Sequence, residues 1–219
     1  MLDFHPTLAI PALIPGEVQL WRVNLAEVTA DEAGLLSLGE WEQARRTPCV
    51  HEAQRFIAAQ AALRTILGAQ LGIEPPAIRF RRGAHGQLEL DAETLLRFNV
   101  SQSGDLMLLA ITYGREIGVD LEARQQNLLF EMLSEHYFDP RDAWSIRTAA
   151  AAERADKFYD LWTRTEAQLQ AERSGKPAHT TVIAPDRWSL LSLTPAEGYA
   201  AALAVEGASF KLNCWAWRS

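Results

Sequence analysis

The sequence predicts an α+β fold built as two similar lobes, residues 1–105 and 106–219. Three observations carry this. Segments of alternating apolar residues and segments of helical periodicity occur in both halves. Each half runs strand, helix, then two or three more strands. The composition, 48% hydrophobic and 22% charged over 219 residues, is that of a globular protein with a substantial core. The halves share no visible sequence similarity, so their likeness rests on element order alone.

The elements follow in chain order. Residues 18–25, VQLWRVNL, alternate as a strand does. Residues 31–46 begin acidic and end in arginine, a helical charge pattern. From His51 to Leu71, apolar residues recur at Phe56, Leu63, Leu67 and Leu71 with alanines between them, an amphipathic helix that Gly68, Gly72 and Pro75 bring to a stop. IRFRR (78–82) and QLELD (87–91) read as a hairpin turning at Gly83–Gly86. RFNVS (97–101) and LMLLAIT (106–112) are strands joined through Gln102-Ser103-Gly104-Asp105, and IGVDLE (117–122) is a third. Helices are expected over about 127–138 and about 150–173. WSLLSLTP, GYAAALAV and FKLNCWAW close the chain as three β segments separated by Pro195, Gly198 and Gly207.

Composition narrows the function. A net charge of −7 and a pI near 5.3 argue against broad nucleic-acid contact, which needs a basic surface to displace counterions. No run approaches the roughly 20 apolar residues of a membrane span. The apolar start is broken by Pro6, Pro11 and Pro15 and lacks a basic leader, so a cytoplasmic protein is expected. Cys49 and Cys214 match no metal spacing and read as inert thiols. Positive charge is nearly all arginine, the lysines being Lys157, Lys176 and Lys211.

Two stretches carry chemistry. In GVDLE, strand alternation turns Asp120 and Glu122 the same way and Leu121 toward the core. Adjacent carboxylates repel unless a cation sits between them, and magnesium suits one or two carboxylates completed by water and phosphate oxygens. On the hexapeptide alone, a polar strand face at an edge or a strand end is the favoured reading. In FYDLWTRTEAQLQAE (158–172), Phe158, Leu161, Trp162, Thr165 and Leu169 form a helical stripe, with Glu166 one turn beyond Trp162 and near its face.

RFNVSQSGDLMLLAITYGREIGVDLE followed by FYDLWTRTEAQLQA resembles the 4′-phosphopantetheinyl transferases of the monomeric, two-lobed, surfactin-synthetase-activating type. Those enzymes carry F-N-(I/L/V)-S-H-S-G, then G-(I/V)-D-(I/L/V)-E, then W-(S/T)-x-K-E-(A/S)-x-x-K. QRFIAAQAALRTILG (54–68) is similar to the family's first long helix and EGYAAALAV (197–205) to a late strand. The resemblance implies two lobes in pseudo-twofold arrangement. It also implies transfer of the phosphopantetheine arm of coenzyme A to a serine of an acyl or peptidyl carrier protein, releasing 3′,5′-adenosine diphosphate. By matched position, Asp120, Glu122 and Glu166 would hold Mg2+, and Glu166 would also serve as general base. Arg55 would contact the nucleotide end of coenzyme A, and the turn from Ser101 through Gln102 and Ser103 to Gly104 its phosphates. The two-in-one layout implies a monomer. For carrier docking, Leu128, Leu129, Phe130 and Met132 offer apolar surface after the metal strand, about half of it expected in the core.

The chain departs from this pattern at cationic positions. Gln102 stands for the histidine, Gly86-Gln87-Leu88 for a Gly-Lys-Pro, and Thr165 and Gln170 for lysines on either side of Glu166. Each lost phosphate contact is worth about 1.5–3 kcal/mol unless replaced. Arg164, Lys176, Arg79, Arg81 and Arg82 are the candidate replacements. A second reading is therefore open, a catalytically weakened or non-catalytic relative that binds coenzyme A or a carrier protein.

Overall fold

The structure, a computed structural model, describes residues 2–7, 9–26, 30–125, 129–173 and 187–217. Lys176, His179 and Leu128 lie outside the described residues. The strands are β1 (His5–Thr7), β2 (Glu17–Asn24), β3 (Phe80–Arg82), β4 (Leu88–Leu90), β5 (Leu96–Ser103), β6 (Leu106–Tyr113), β7 (Ile117–Ala123), β8 (Trp188–Leu193), β9 (Tyr199–Glu206) and β10 (Lys211–Trp217). The α-helices are α1 (Leu38–Arg46), α2 (Val50–Leu71), α3 (Phe130–Tyr137), α4 (Pro140–Arg147) and α5 (Ala151–Arg173). The α+β class is as expected, and no described helix is long and apolar enough to cross a membrane.

Four layers stack in the order α2, five-stranded sheet, three-stranded sheet, α5. The larger sheet runs β1-β10-β2-β6-β5 and the smaller β7-β9-β8. Strand alternation divides the apolar residues between them. Val18, Leu20, Leu106 and Leu108 from the large sheet meet Ile117, Val119, Leu121 and Leu203 from the small one, forming the central core. The opposite face of the large sheet, with Trp21, Leu109 and Ile111, packs on Leu63, Ile66 and Leu67 of α2. On the outer face of the small sheet, Ala202 and Ala204 meet Ala167 and Ala171 of α5.

The expected division at 105/106 falls in the two-residue turn of the β5–β6 hairpin, and strands from both sides of it share one sheet. β10 inserts parallel between β1 and β2, with Lys211 opposite Glu17 and Trp217 opposite Val23. The structure adds β1 and α4 to the elements expected from the sequence. β1 is three residues long, whereas α4 is capped by Asp139, which accepts from the Arg141 and Asp142 amides, with Pro140 at its first position.

The helical stripe of α5 is also corrected. Phe158 is buried as expected, but the rest of the buried line is Tyr159, Thr163, Ala167 and Ala171; Thr165 is exposed, and Leu161 and Leu169 are half-buried. The cause is the distance between helix and sheet. A β-carbon on Gly118 would lie 2.0 Å from the Ala167 carbonyl oxygen and 2.6 Å from the Ala171 amide nitrogen. Where α5 passes Gly118, only small residues such as Ala167 and Ala171 fit beneath the helix, while Phe158 and Tyr159 are buried further toward its N-terminus.

Candidate active site

Three elements converge on the carboxylates. Asp120 and Glu122 leave β7 on the face opposite Leu121, as strand alternation requires, and meet α5. Asp120 is 7% exposed. Its Oδ1 accepts from the Ser101 hydroxyl at 3.4 Å and from the Gln170 side-chain amide at 3.3 Å, whereas Oδ2 is buried with no hydrogen-bond partner among the described residues. Glu122 accepts from the Trp162 indole N–H at 3.2 Å. Trp162 is itself stacked on Phe158 and edge-on to Tyr137 and Phe138.

Burial is the largest cause pushing the Asp120 carboxyl up to about 7, followed by the charges of Glu122 and Glu166. Burial also raises Glu122, with the neighbouring Glu166 adding to it and hydrogen bonds from Trp162 and Ser103 opposing it. The three acids thus feel one another across the β7–α5 contact. Among the described residues none of them pairs with an arginine or lysine. Nor does any group of three His, Cys, Asp or Glu among those residues stand close enough together to hold a metal as placed. The donor chemistry nevertheless fits a hard cation, since Asp120 offers a desolvated carboxyl oxygen with an unused lone pair.

The remaining predicted residues lie along β5 and its turn. Asn99, Ser101 and Ser103 face β7, and their side-chain oxygens accept from the backbone amides of Val119 (2.8 Å), Leu121 (3.1 Å) and Ala123 (2.9 Å). Alternation places Gln102 on the other face of the strand, exposed to solvent. Gly104 takes a positive φ of 57° as the first residue of the hairpin turn, the position a type II′ turn gives to glycine. A β-carbon there would stand 3.0 Å from the Tyr199 hydroxyl. Arg55, from the first turns of α2, is tied to that turn by a 2.6 Å ion pair with Asp105.

The neutral substitutes have visible partners. Gln170 holds Asp120, and Gln87 joins Glu89 to the Arg173 carbonyl at the end of α5. The Thr165 hydroxyl donates back to the Leu161 carbonyl. Of the candidate replacement cations, Arg81 pairs with Glu89 and Arg82 donates to the Gly86 carbonyl. Arg79 is exposed and Arg164 half-buried.

The sequence gives no site role to Trp162 or Asn99, and marks Gln170 only as a neutral substitute for a cation beside Glu166. Trp162 and Gln170 lie four residues to either side of Glu166, a helical spacing that signals a shared neighbourhood. Asn99 is two residues before Ser101, on the same strand face. After β7, Leu129, Met132 and Tyr137 of the α3 region and Trp144 of α4 are exposed, whereas Phe130 and Leu133 pack inward. Cys49 is exposed; Cys214 is buried, and burial pushes its thiol up to about 11.

The chain is 34% identical to the 4′-phosphopantetheinyl transferase HetI of a Nostoc species over 93% of each chain. It is 26% identical to the 4′-phosphopantetheinyl transferase AcpT of Escherichia coli K12 over 71% of this chain and 74% of that one. With the 4′-phosphopantetheinyl transferase Sfp of Bacillus subtilis it shares 24% identity over 61% and 58% of the respective chains. No family model matches the chain.

Proposed function

The chain belongs to the 4′-phosphopantetheinyl transferases, and from that premise we propose that it transfers the phosphopantetheine arm of coenzyme A to a serine of an acyl or peptidyl carrier protein. Mg2+ held by Asp120, Glu122 and Glu166 and release of 3′,5′-adenosine diphosphate complete the reading. The observation that carries it is the Asp120 Oδ2 oxygen, buried and unpartnered beside two further carboxylates. Such a group calls for a cation to fill the place.

Bound magnesium supplies charge neutralisation for the pyrophosphate as its phosphorus–oxygen bond breaks. The other tasks fall to the chain. Ser101 and Gln170 occupy Oδ1 of Asp120 and so leave Oδ2 for the cation. Trp162 fixes one oxygen of Glu122. Glu166 takes the proton of the carrier serine as its oxygen attacks phosphorus and the nucleotide phosphate departs. Arg55, Ser101, Gln102, Ser103 and Gly104 receive the coenzyme along β5 and its turn. The exposed Leu129, Met132, Tyr137 and Trp144 offer apolar surface to the carrier. The enzyme acts as a cytoplasmic monomer, with no nucleic acid or membrane partner.

Incubation with coenzyme A, magnesium and a panel of apo-carrier proteins tests the reading. A carrier gaining the mass of one phosphopantetheine supports it, and an unmodified panel rejects it. Asp120→Ala removes magnesium-dependent transfer; full activity in that variant would mean the cation binds elsewhere. A second reading, a slow or non-catalytic relative, is favoured by the neutral Gln170 amide on Asp120. Its signature is tight coenzyme A binding without carrier modification.

A further inference from the structure

β5 and β7 are edge strands of different sheets and share no backbone pairing. Each edge exposes amides that would otherwise need water or another strand. The amides of Val119, Leu121 and Ala123 instead meet the side-chain oxygens of Asn99, Ser101 and Ser103, each partner 20 residues earlier. A constant offset over alternate residues means that the two strands run parallel and in register, with side chains taking the part of a neighbouring backbone. The middle rung also bonds the site, because the Ser101 hydroxyl that accepts from Leu121 donates to Asp120. Every amide in the ladder is one residue away from Asp120 or Glu122.

We propose that Asn99, Ser101 and Ser103 are positioning residues, a three-rung ladder that sets the register and depth of β7 and thereby aims Asp120 and Glu122 at the magnesium–pyrophosphate site. The role in cation binding rests on the function proposed above, whereas the ladder itself is a property of the fold. Gly118 leaves no slack on the other side of β7, where its backbone meets α5. The ladder holds the free edge of the strand, and that contact fixes the face turned to α5. Asn99 is the informative rung, because it touches neither carboxylate directly yet anchors the strand next to Asp120.

Amide hydrogen exchange on the full chain in chelator, together with magnesium titration of carrier modification, tests this. Asn99→Leu accelerates exchange at Val119, and Ser103→Ala at Ala123, each about tenfold, the worth of one hydrogen bond. Both variants raise the half-saturating magnesium concentration more than they lower kcat at saturating metal. Asn99→Asp, which keeps an acceptor oxygen, restores the slow exchange and most of the magnesium response. Unchanged exchange at Val119 and Ala123 overturns the ladder, and faster exchange with an unmoved magnesium half-saturation overturns its positioning role. If Asp120→Ala also leaves the magnesium response unmoved, the metal assignment fails, and the exchange arm alone still decides the ladder.

Discussion

Gly118 of β7 lies so close to Ala167 of α5 that a β-carbon on the glycine would stand 2.0 Å from the alanine carbonyl oxygen. The β-carbon position is fixed by the backbone and the atom it meets is itself backbone, so side-chain rotation cannot relieve the clash. Gly118→Ala therefore lifts α5 from the sheet and separates Glu166 from Asp120. The expected loss is about 1–3 kcal/mol of stability from overpacking, measured by urea unfolding, with a fall in carrier modification exceeding the fraction unfolded. Wild-type stability in this variant would mean that the helix shifts freely, contrary to the close contact.

The Asp120 carboxyl titrates near 7 in the fold against an ordinary 3.8. Between those pH values the folded chain keeps a proton that the unfolded chain has lost. Its contribution to stability is therefore whole below pH 4 and disappears as pH rises through 7. In chelator, the melting temperature of wild type falls relative to Asp120→Asn over this window, and magnesium restores wild type but not the variant. Parallel melting curves for the two proteins would show that Asp120 is ionised throughout.

Trp162→Phe keeps the aromatic stack on Phe158 and deletes the indole N–H that holds Glu122. A hydrogen bond to a charged acceptor contributes about 1.5–3 kcal/mol when buried, and less here because Glu122 is partly solvated. Transfer falls several-fold with a higher magnesium requirement, while the melting temperature drops only slightly. A large stability loss with unaltered kinetics would assign the tryptophan to packing alone.

The cationic departures are unequal. Gln170 touches Asp120, whereas Thr165 is exposed and bonded to its own helix. Gln170→Lys places a charge beside the carboxylates and raises the transfer rate; Thr165→Lys changes it little. Steady-state kinetics at saturating magnesium separate the two, and a rate gain confined to Thr165→Lys would reverse the assignment.

The placement of Asp120 and Glu122 was legible because strand alternation is a two-residue rule, and the long helices α2 and α5 because their patterns extend over many turns. The face of α5 was not. Its buried line depends on how near the sheet comes, and that is set by Gly118, far away in sequence. The partners of the carboxylates were hidden for the same reason: Gln170 reaches Asp120 across 50 residues and Trp162 reaches Glu122 across 40. Local spacing identifies what a residue can offer but not which distant group receives it.

The placement of β10 has a consequence for how the chain acquires its shape. Lys211 bonds to Glu17 across 194 residues of sequence, and among the described strands β1 pairs with β10 alone. During synthesis β2 emerges early, yet one edge of it stays open until β10 leaves the ribosome. Hairpins such as β5–β6 can close locally, but the large sheet must wait, and loop closure over such a separation slows folding. Between the synthesis of β6 and that of β10 the Val18–Leu20 strand keeps one edge unpaired, the interval in which a chaperone would matter most.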